Sequence, residues 1–292
     1  MPRSPRATGI ACALAAYGCW GIFPIYFKAL RTVPPAVVLC HRVLWSAVVM
    51  TLIIAALGRS RAFVQALRSR KVLLTLAAST LLIAGNWLTY IYAVVQGHIL
   101  ESSLGYFVNP LVSVALGALF LRERLRTRQT IAVGLASCGV VILAAGSGAV
   151  PWIPLVLAGT FALYGLLRKT VAIDAAGGLL AETLFLVVPA VVFLLASPQP
   201  WAAEAMGWKG PVLLIAAGPV TALPLLCFAH GARQLPLSLI GFLQYLSPTL
   251  QFLTAVVVYG ETFGRLHVFT FAFIWAGVAL FLADAVVQSR RV

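Results

Sequence analysis

Ten uninterrupted apolar runs, each about as long as a bilayer is thick, constrain this chain more than any other feature. Crossing roughly 30 Å of hydrocarbon takes about 20 helical residues. The sequence divides into such runs at 8–28, 36–57, 72–95, 99–121, 129–146, 152–169, 178–196, 211–230, 236–259 and 266–287. Lipid offers the backbone no hydrogen-bond partner, so each run must satisfy its own amides and is expected as an α-helix. A β-barrel would show alternating segments of about ten residues instead. Composition agrees with a life in lipid: 62% of residues are hydrophobic and 10% charged, against about 45–50% and about 25% in soluble domains. The expected fold class is an all-α integral membrane protein of ten transmembrane helices. The first run follows Arg3 and Arg6 as a signal peptide would, but it continues to Phe27, beyond the 7–15 residues of a signal core, and is read as the first span.

Cations orient the connections. With the N-terminus inside, one set of loops and ends gathers Arg3, Arg6, Arg59, Arg61, Arg68, Arg70, Lys71, Arg122, Arg124, Arg126, Arg128, Arg168, Lys169, Arg233, Arg290 and Arg291. The other set holds Lys28, Arg31, Lys209 and Arg265. Cytoplasmic loops collect Lys and Arg, so both termini are expected in the cytoplasm, and the formal charge of +14 needs no nucleic acid to explain it. The longest gaps, 58–71 and 197–210, are too short for a soluble domain. The first alternates cations with Phe63 and Leu67, as an amphipathic segment lying on the membrane does. The second carries Trp201 and Trp208, suited to the headgroup zone.

Within these runs the chain contains part of itself twice. Ser-Leu-Gly-Tyr-Phe-Val-Asn-Pro, Ser103 to Pro110, and Gly-Phe-Leu-Gln-Tyr-Leu-Ser-Pro, Gly241 to Pro248, stand 138 residues apart, close at Glu123 and Glu261, and align Gly139 with Gly277. Five spans per half is an odd number, so the second half enters the bilayer inverted. Residues 1–148 and 149–292 are the expected halves, with a site near the midplane between them. Pro110 and Pro248 fall about halfway along spans 4 and 9, and each removes the backbone bond to the residue four earlier. Free carbonyls are therefore expected at Tyr106 and Gln244, lining a watery cavity with Asn109, Ser247, Gln251 and Tyr245. Kinks satisfied by neighbouring helices are the other reading. Span 3 adds Asn86, Trp87 and Tyr90, span 1 Tyr17 and Trp20, and span 6 Tyr164. Pro211, Pro219 and Pro224 should bend or break span 8.

Among charged residues within spans, where a charge costs about 2.5–3.5 kcal/mol at the helix centre, Arg42, Glu101 and Glu182 are the functional candidates. Arg42 and Glu101 both fall in the outer third and are expected to pair as an outer gate. Glu182 lies near Arg168, Lys169 and Arg233 and is expected to form an inner gate. Snorkelling to the headgroups is the alternative for each. Glu101 and Glu182 are also the candidates for proton coupling. No cation is expected at the midplane, which favours a small amphipathic or aromatic solute over a sugar phosphate.

There is no Gly-x-x-x-x-Gly-Lys-Ser/Thr loop for ATP, no His-Glu-x-x-His or Gly-x-Ser-x-Gly, and the five cysteines include no Cys-x-x-Cys. No enzyme activity, metal or cofactor is expected. A non-transporting assembly partner would not require polar residues and prolines repeated at the midplane.

Several stretches carry a family resemblance: Trp20-Gly21-Ile22-Phe23-Pro24 with Tyr26-Phe27-Lys28, His41-Arg42-Val43-Leu44-Trp45-Ser46, Gly85-Asn86-Trp87-Leu88, Leu104-Gly105-Tyr106-Phe107 with Asn109-Pro110, Tyr164-Gly165-Leu166 with Arg168-Lys169, Glu182-Thr183-Leu184, Pro224-Leu225-Leu226-Cys227-Phe228, and Thr270 to Trp275. In this order, over residues 8–288, they resemble the RarD permeases of the EamA group in the drug/metabolite transporter superfamily. The resemblance implies two EamA repeats in a bacterial inner-membrane permease for a small molecule, often labelled a chloramphenicol-sensitivity protein. Exporters elsewhere in the superfamily favour efflux by analogy, with uptake by the same fold as the alternative. The Gly-Glu that commonly ends helix 4 or 9 of such repeats is kept as Gly260-Glu261 and replaced by Arg122-Glu123 in the first half.

Overall fold

The computed structural model describes residues 5–121, 125–197, 206–235 and 243–289, all of whose regular elements are helices. They are α1 Pro5–Ala29, α2 Pro35–Ala56, α3 Ser60–Leu67, α4 Arg70–Gln96, α5 Ile99–Leu121, α6 Thr127–Ser147, α7 Trp152–Thr170, α8 Ala175–Ala196, α9 Lys209–Gln234, α10 Leu246–Leu253 and α11 Arg265–Ser289. Local chemistry explains several ends. Ser69 accepts from the Val72 N–H and Asp174 from the Gly177 N–H, capping α4 and α8 as short polar side chains do. Gly97, in the left-handed region at φ 86°, stops α4, a conformation glycine adopts without steric cost.

Eight of these helices are long and apolar enough to cross a membrane, and two shorter apolar helices, Trp152–Arg168 and Leu246–Val258, stand where the sixth and ninth spans are expected. The chain is thus a multi-pass helical membrane protein. The amphipathic segment between the second and third spans is α3, which buries none of its residues in the bundle. Trp208 is exposed, while Trp201 lies outside the described residues.

The packing partners come in exchanged pairs. α1 lies on α9 and α7 on α4; α1 lies on α10 and α7 on α5; α2 lies on α9 and α8 on α4. The contacts α2–α8, α5–α10 and α6–α11 join helices at corresponding positions of the expected repeat. The α6–α11 contact is reciprocal to the residue. A Cβ on Gly139 would stand 2.9 Å from the Thr270 carbonyl oxygen, and one on Gly277 would stand 2.7 Å from that of Ala132. The 138-residue register maps the first contact onto the second. Glycine lets the two backbones touch, which replaces the hydrophobic driving force that lipid removes.

The prolines behave less symmetrically than their spacing implies. Pro110 sits inside an unbroken α5. Pro248 is the third residue of α10, where its missing N–H is one the helix start leaves unused anyway. The Gln244 carbonyl, expected to be free, accepts instead from the Ser247 N–H at 3.3 Å. Beyond Leu253 the helix widens into a π-helical turn, Thr254–Val258. α9, expected to be bent or broken, contains Pro219 and Pro224 and is unbroken.

Candidate substrate site

The residues expected to line one cavity form two adjoining clusters. On α4, α5 and α7, Tyr90 and Tyr106 meet edge to face at 5.7 Å, Tyr106 meets Phe161 at 6.2 Å, and Phe161 meets Tyr164 at 5.9 Å. Asn86 ties this group together: its amide donates to the Leu157 carbonyl and to Thr160 Oγ1, both at 3.0 Å, and its oxygen accepts from the Tyr106 hydroxyl at 3.3 Å. Expected to line the cavity, Asn86 has its polar atoms occupied in bracing α4 against α7, because a buried amide in a bundle must find protein partners.

The second cluster lies on α1, α9 and α10. Tyr17, Trp20 and Phe228 form a triangle of rings 5.5–5.9 Å apart. Gln251 donates to the Trp20 carbonyl at 3.2 Å and to Ser247 Oγ at 3.3 Å. Tyr245 stacks on Phe107 at 6.3 Å, so α5 and α10 join the two clusters. Asn109 Oδ1, Tyr245 OH and Gln251 Oε1 are buried with no hydrogen-bond partner among the described residues. Buried polar groups of this kind call for a partner beyond the described residues.

The intramembrane charges are placed differently from expectation. Glu101 lies 2.9 Å from His98, one turn away on the rim. Arg42 points into the bundle, where its Nε donates to Thr221 Oγ1 at 2.9 Å and its guanidinium lies 4.1 Å from the centroid of Trp87. The expected Arg42–Glu101 pair is absent among the described residues. The guanidinium instead lies against Trp87, one of the residues expected to line the cavity. α2 packs between α4, α8 and α9, so the rotation that buries its contact face carries Arg42 inward. At 5% exposure it does not snorkel.

Glu182 is 1% exposed. It accepts from Ser79 Oγ at 2.6 Å and the Tyr164 hydroxyl at 3.1 Å, with Arg168 at 3.9 Å. Arg168 also donates to the Asp174 carbonyl, and the Asp174 carboxylate pairs with Arg59 at 3.0 Å. Ser79 was not legible as a partner, since only the packing of α4 on α8 brings it there. The Lys169 and Arg233 side chains lie outside the described residues.

A residue seen in sequence only as the end of a repeat has a definite task. Gly260, at φ 64°, turns the chain after the π-helical segment, and Glu261 then accepts from the backbone N–H groups of Ile99 at 2.9 Å and Leu100 at 2.7 Å. These are first-turn donors of α5 that no intrahelical acceptor reaches. Lys28 likewise donates to the Val94 carbonyl at the end of α4, at 3.1 Å. Burial pushes the Glu261 carboxyl above the ordinary carboxylate range, against the pull of the Leu100 and Ile99 N–H groups and Lys28. A raised folded-state value means that the folded protein binds this proton more tightly than the unfolded chain. The linked stability is complete below the unfolded value and is lost as pH rises through the folded one. Glu261→Gln, which imitates the protonated acid, is therefore expected to match or exceed the parent in thermal stability at pH 7.5, with the difference closing as the pH falls towards 4.5. Glu261→Ala leaves the cap empty and should lose about 1–2 kcal/mol. Apparent unfolding temperatures of both variants from pH 4.5 to 8 check this, and a glutamine variant less stable than the alanine one refutes it.

The described helices form a multi-pass bundle with polar residues and aromatic rings gathered inside it, an arrangement that suits a membrane permease. Residues 7–145 match the model of the EamA-like transporter family. The chain is 46% identical to Protein RarD of Salmonella typhi over 294 residues, 100% of both chains, and 46% identical to Protein RarD of Escherichia coli (strain K12) over 295 residues, 100% of this chain and 99% of that one. A solved crystal structure, 20% identical, superposes with a TM-score of 0.60 over 98% of this chain and 100% of the other, a likeness of fold alone. The chain belongs to the RarD-type permeases of the EamA family and is a membrane transporter, not an enzyme.

Proposed function

We propose that the chain is a ten-span secondary transporter of the bacterial inner membrane, with both termini cytoplasmic and two inverted five-helix halves, residues 1–148 and 149–292. It exports a small amphipathic or aromatic metabolite or drug-like solute by alternating access around its midplane. The observation that carries this reading is the exchanged packing of equivalent helices, with α5 on α10 bringing buried, unsatisfied polar atoms of both halves together. Rocking of one half against the other about such contacts is how inverted-repeat transporters alternate. Cation-rich loops on one side support the orientation. Glu182, enclosed between α4, α7 and α8, serves the inner gate and is the better candidate for proton coupling than Glu101 on the rim. Glu261 and Lys28, tying helix ends together at the other face, serve the outer gate.

The test is a thermal-shift screen of purified protein against amino acids, drugs and metabolites, followed by counterflow in proteoliposomes with the solute inside or outside, which separates export from uptake. Tyr106→Phe should weaken a stabilising solute about tenfold, the worth of one buried hydrogen bond, while Asn86→Ala should abolish binding by loosening α4 from α7. A solute indifferent to both substitutions rules out this cavity.

A further inference from the structure

We propose that Arg42 is an anion anchor: the transported solute carries a carboxylate beside its aromatic or apolar part, and that carboxylate docks on the terminal nitrogens of Arg42. The inference deepens the proposed function and rests on the cavity assigned there.

A guanidinium buried in a membrane protein needs a counter-charge or a set of acceptors. Every acidic residue among the described ones is engaged elsewhere. Glu101 faces His98, Asp174 faces Arg59, Glu182 faces Arg168, Asp284 faces Arg126, and Glu261 caps α5. Arg42 has one hydrogen bond to a described residue, from Nε to Thr221, and its plane is covered by Trp87 at 4.1 Å and Phe27 at 5.6 Å. Cation–π contact of this kind holds a guanidinium in place without neutralising it. The two terminal nitrogens, the pair that receives a carboxylate side by side, make no hydrogen bond to a described residue.

A second observation points to the same ligand. The hydroxyls of Tyr26, Tyr90 and Tyr106 stand within electrostatic reach of the guanidinium. Tyr26 donates to the Leu213 carbonyl at 2.6 Å and Tyr106 to Asn86 at 3.3 Å. Tyr90 is 3% exposed, and its hydroxyl has no partner among the described residues. A carboxylate on Arg42 supplies the acceptor that Tyr90 lacks. The rings of Trp87, Tyr90 and Tyr106 then offer apolar faces to the remainder of the solute, so recognition asks for one negative charge with a flat apolar body next to it.

The experiment uses the full chain in nanodiscs and three probes with one ring in common, the near-isosteric benzoate and benzamide and the cationic benzylamine, titrated calorimetrically. Benzoate is expected to bind at least about tenfold more tightly than either control, the discrimination of one charge-assisted pair. Arg42→Lys should keep the preference in weaker form and Arg42→Gln should erase it. Tyr90→Phe, which keeps the charge and removes only an unsatisfied hydroxyl, should weaken benzoate several-fold, leave benzamide unchanged, and decide the matter if Arg42→Gln does not accumulate. Benzoate and benzamide binding equally, with both weakened about tenfold in Tyr106→Phe, overturns the anion anchor and leaves the cavity. Undiminished benzoate binding by Arg42→Gln overturns the anchor. No binding of any probe overturns the anchor too, the cavity then being judged by the solute screen and counterflow.

Discussion

Glu182→Ala is expected to lower the apparent unfolding temperature by about 10 °C and to abolish transport. The carboxylate is 1% exposed and holds Ser79, Tyr164 and Arg168 around it. Removing one member of a buried charged cluster leaves the others uncompensated, at a cost of about 3–5 kcal/mol. In a chain of this size each kcal/mol moves the transition by about 2–4 °C. Glu182→Gln keeps the shape and an acceptor for Ser79, so it should retain most of the stability while losing the titratable proton. If Glu182 couples transport to protons, the glutamine variant transports without the parent's pH dependence, whereas Glu101→Gln keeps it. Arg168→Ala should be less harmful, since Arg168 stands at 3.9 Å. In the double-mutant cycle with Glu182→Ala the losses should fall short of additive. Thermal unfolding and counterflow across pH 6–8 measure both effects. An alanine variant within about 2 °C of the parent would refute this role of Glu182.

Gly218→Val is expected to fail to accumulate as folded protein, and Gly218→Ala to lose about 3 kcal/mol, the upper range for overpacking a tight contact. A Cβ at this position would lie 2.5 Å from the backbone carbonyl carbon and oxygen of Trp45. Neither is the end of a flexible side chain, so α2 and α9 would have to part. Gly18 and Gly85 have nothing within 4 Å of such a Cβ. Their alanine variants should be neutral or stabilised by about 0.4–1 kcal/mol through the unfolded chain. The same close approach bears on the site. Thr221, one turn along α9 from Gly218, holds Arg42 of α2, so separating the two helices pulls the guanidinium from its support. Gly218→Ala should therefore weaken carboxylate binding more than its loss of stability alone predicts. Detergent-solubilised yield and unfolding temperature test the first claim, and benzoate titration the second.

The spans were legible because hydropathy is summed along the chain. The run expected at 99–121 is α5 at Ile99–Leu121, and that at 36–57 is α2 at Pro35–Ala56. The surface helix α3 was legible from alternating cations and apolar residues, and the Gly139–Gly277 match from the repeat, later realised as a reciprocal contact. The partners were less legible than the residue types: Arg42 is expected with Glu101, Asn86 in a cavity lining, and the Gln244 carbonyl free, whereas they meet Thr221, Leu157 with Thr160, and the Ser247 N–H. In each case the true partner comes from another helix or from a local helix start that the proline count did not reveal.

By itself, then, the sequence determined that this chain lies in lipid, roughly where most of its long helices run, and to which family it belongs. Those properties depend on neighbours along the chain or on residues in fixed order. Only the tertiary structure decided which way each helix is turned about its axis. A helix apolar on every side carries little preference for one face, so its rotation is set by close packing against others. Thr221 reaches Arg42 across 179 residues, and the Ile99 amide reaches Glu261 across 162. That rotation is what turns Arg42 toward Thr221 and Trp87 instead of Glu101.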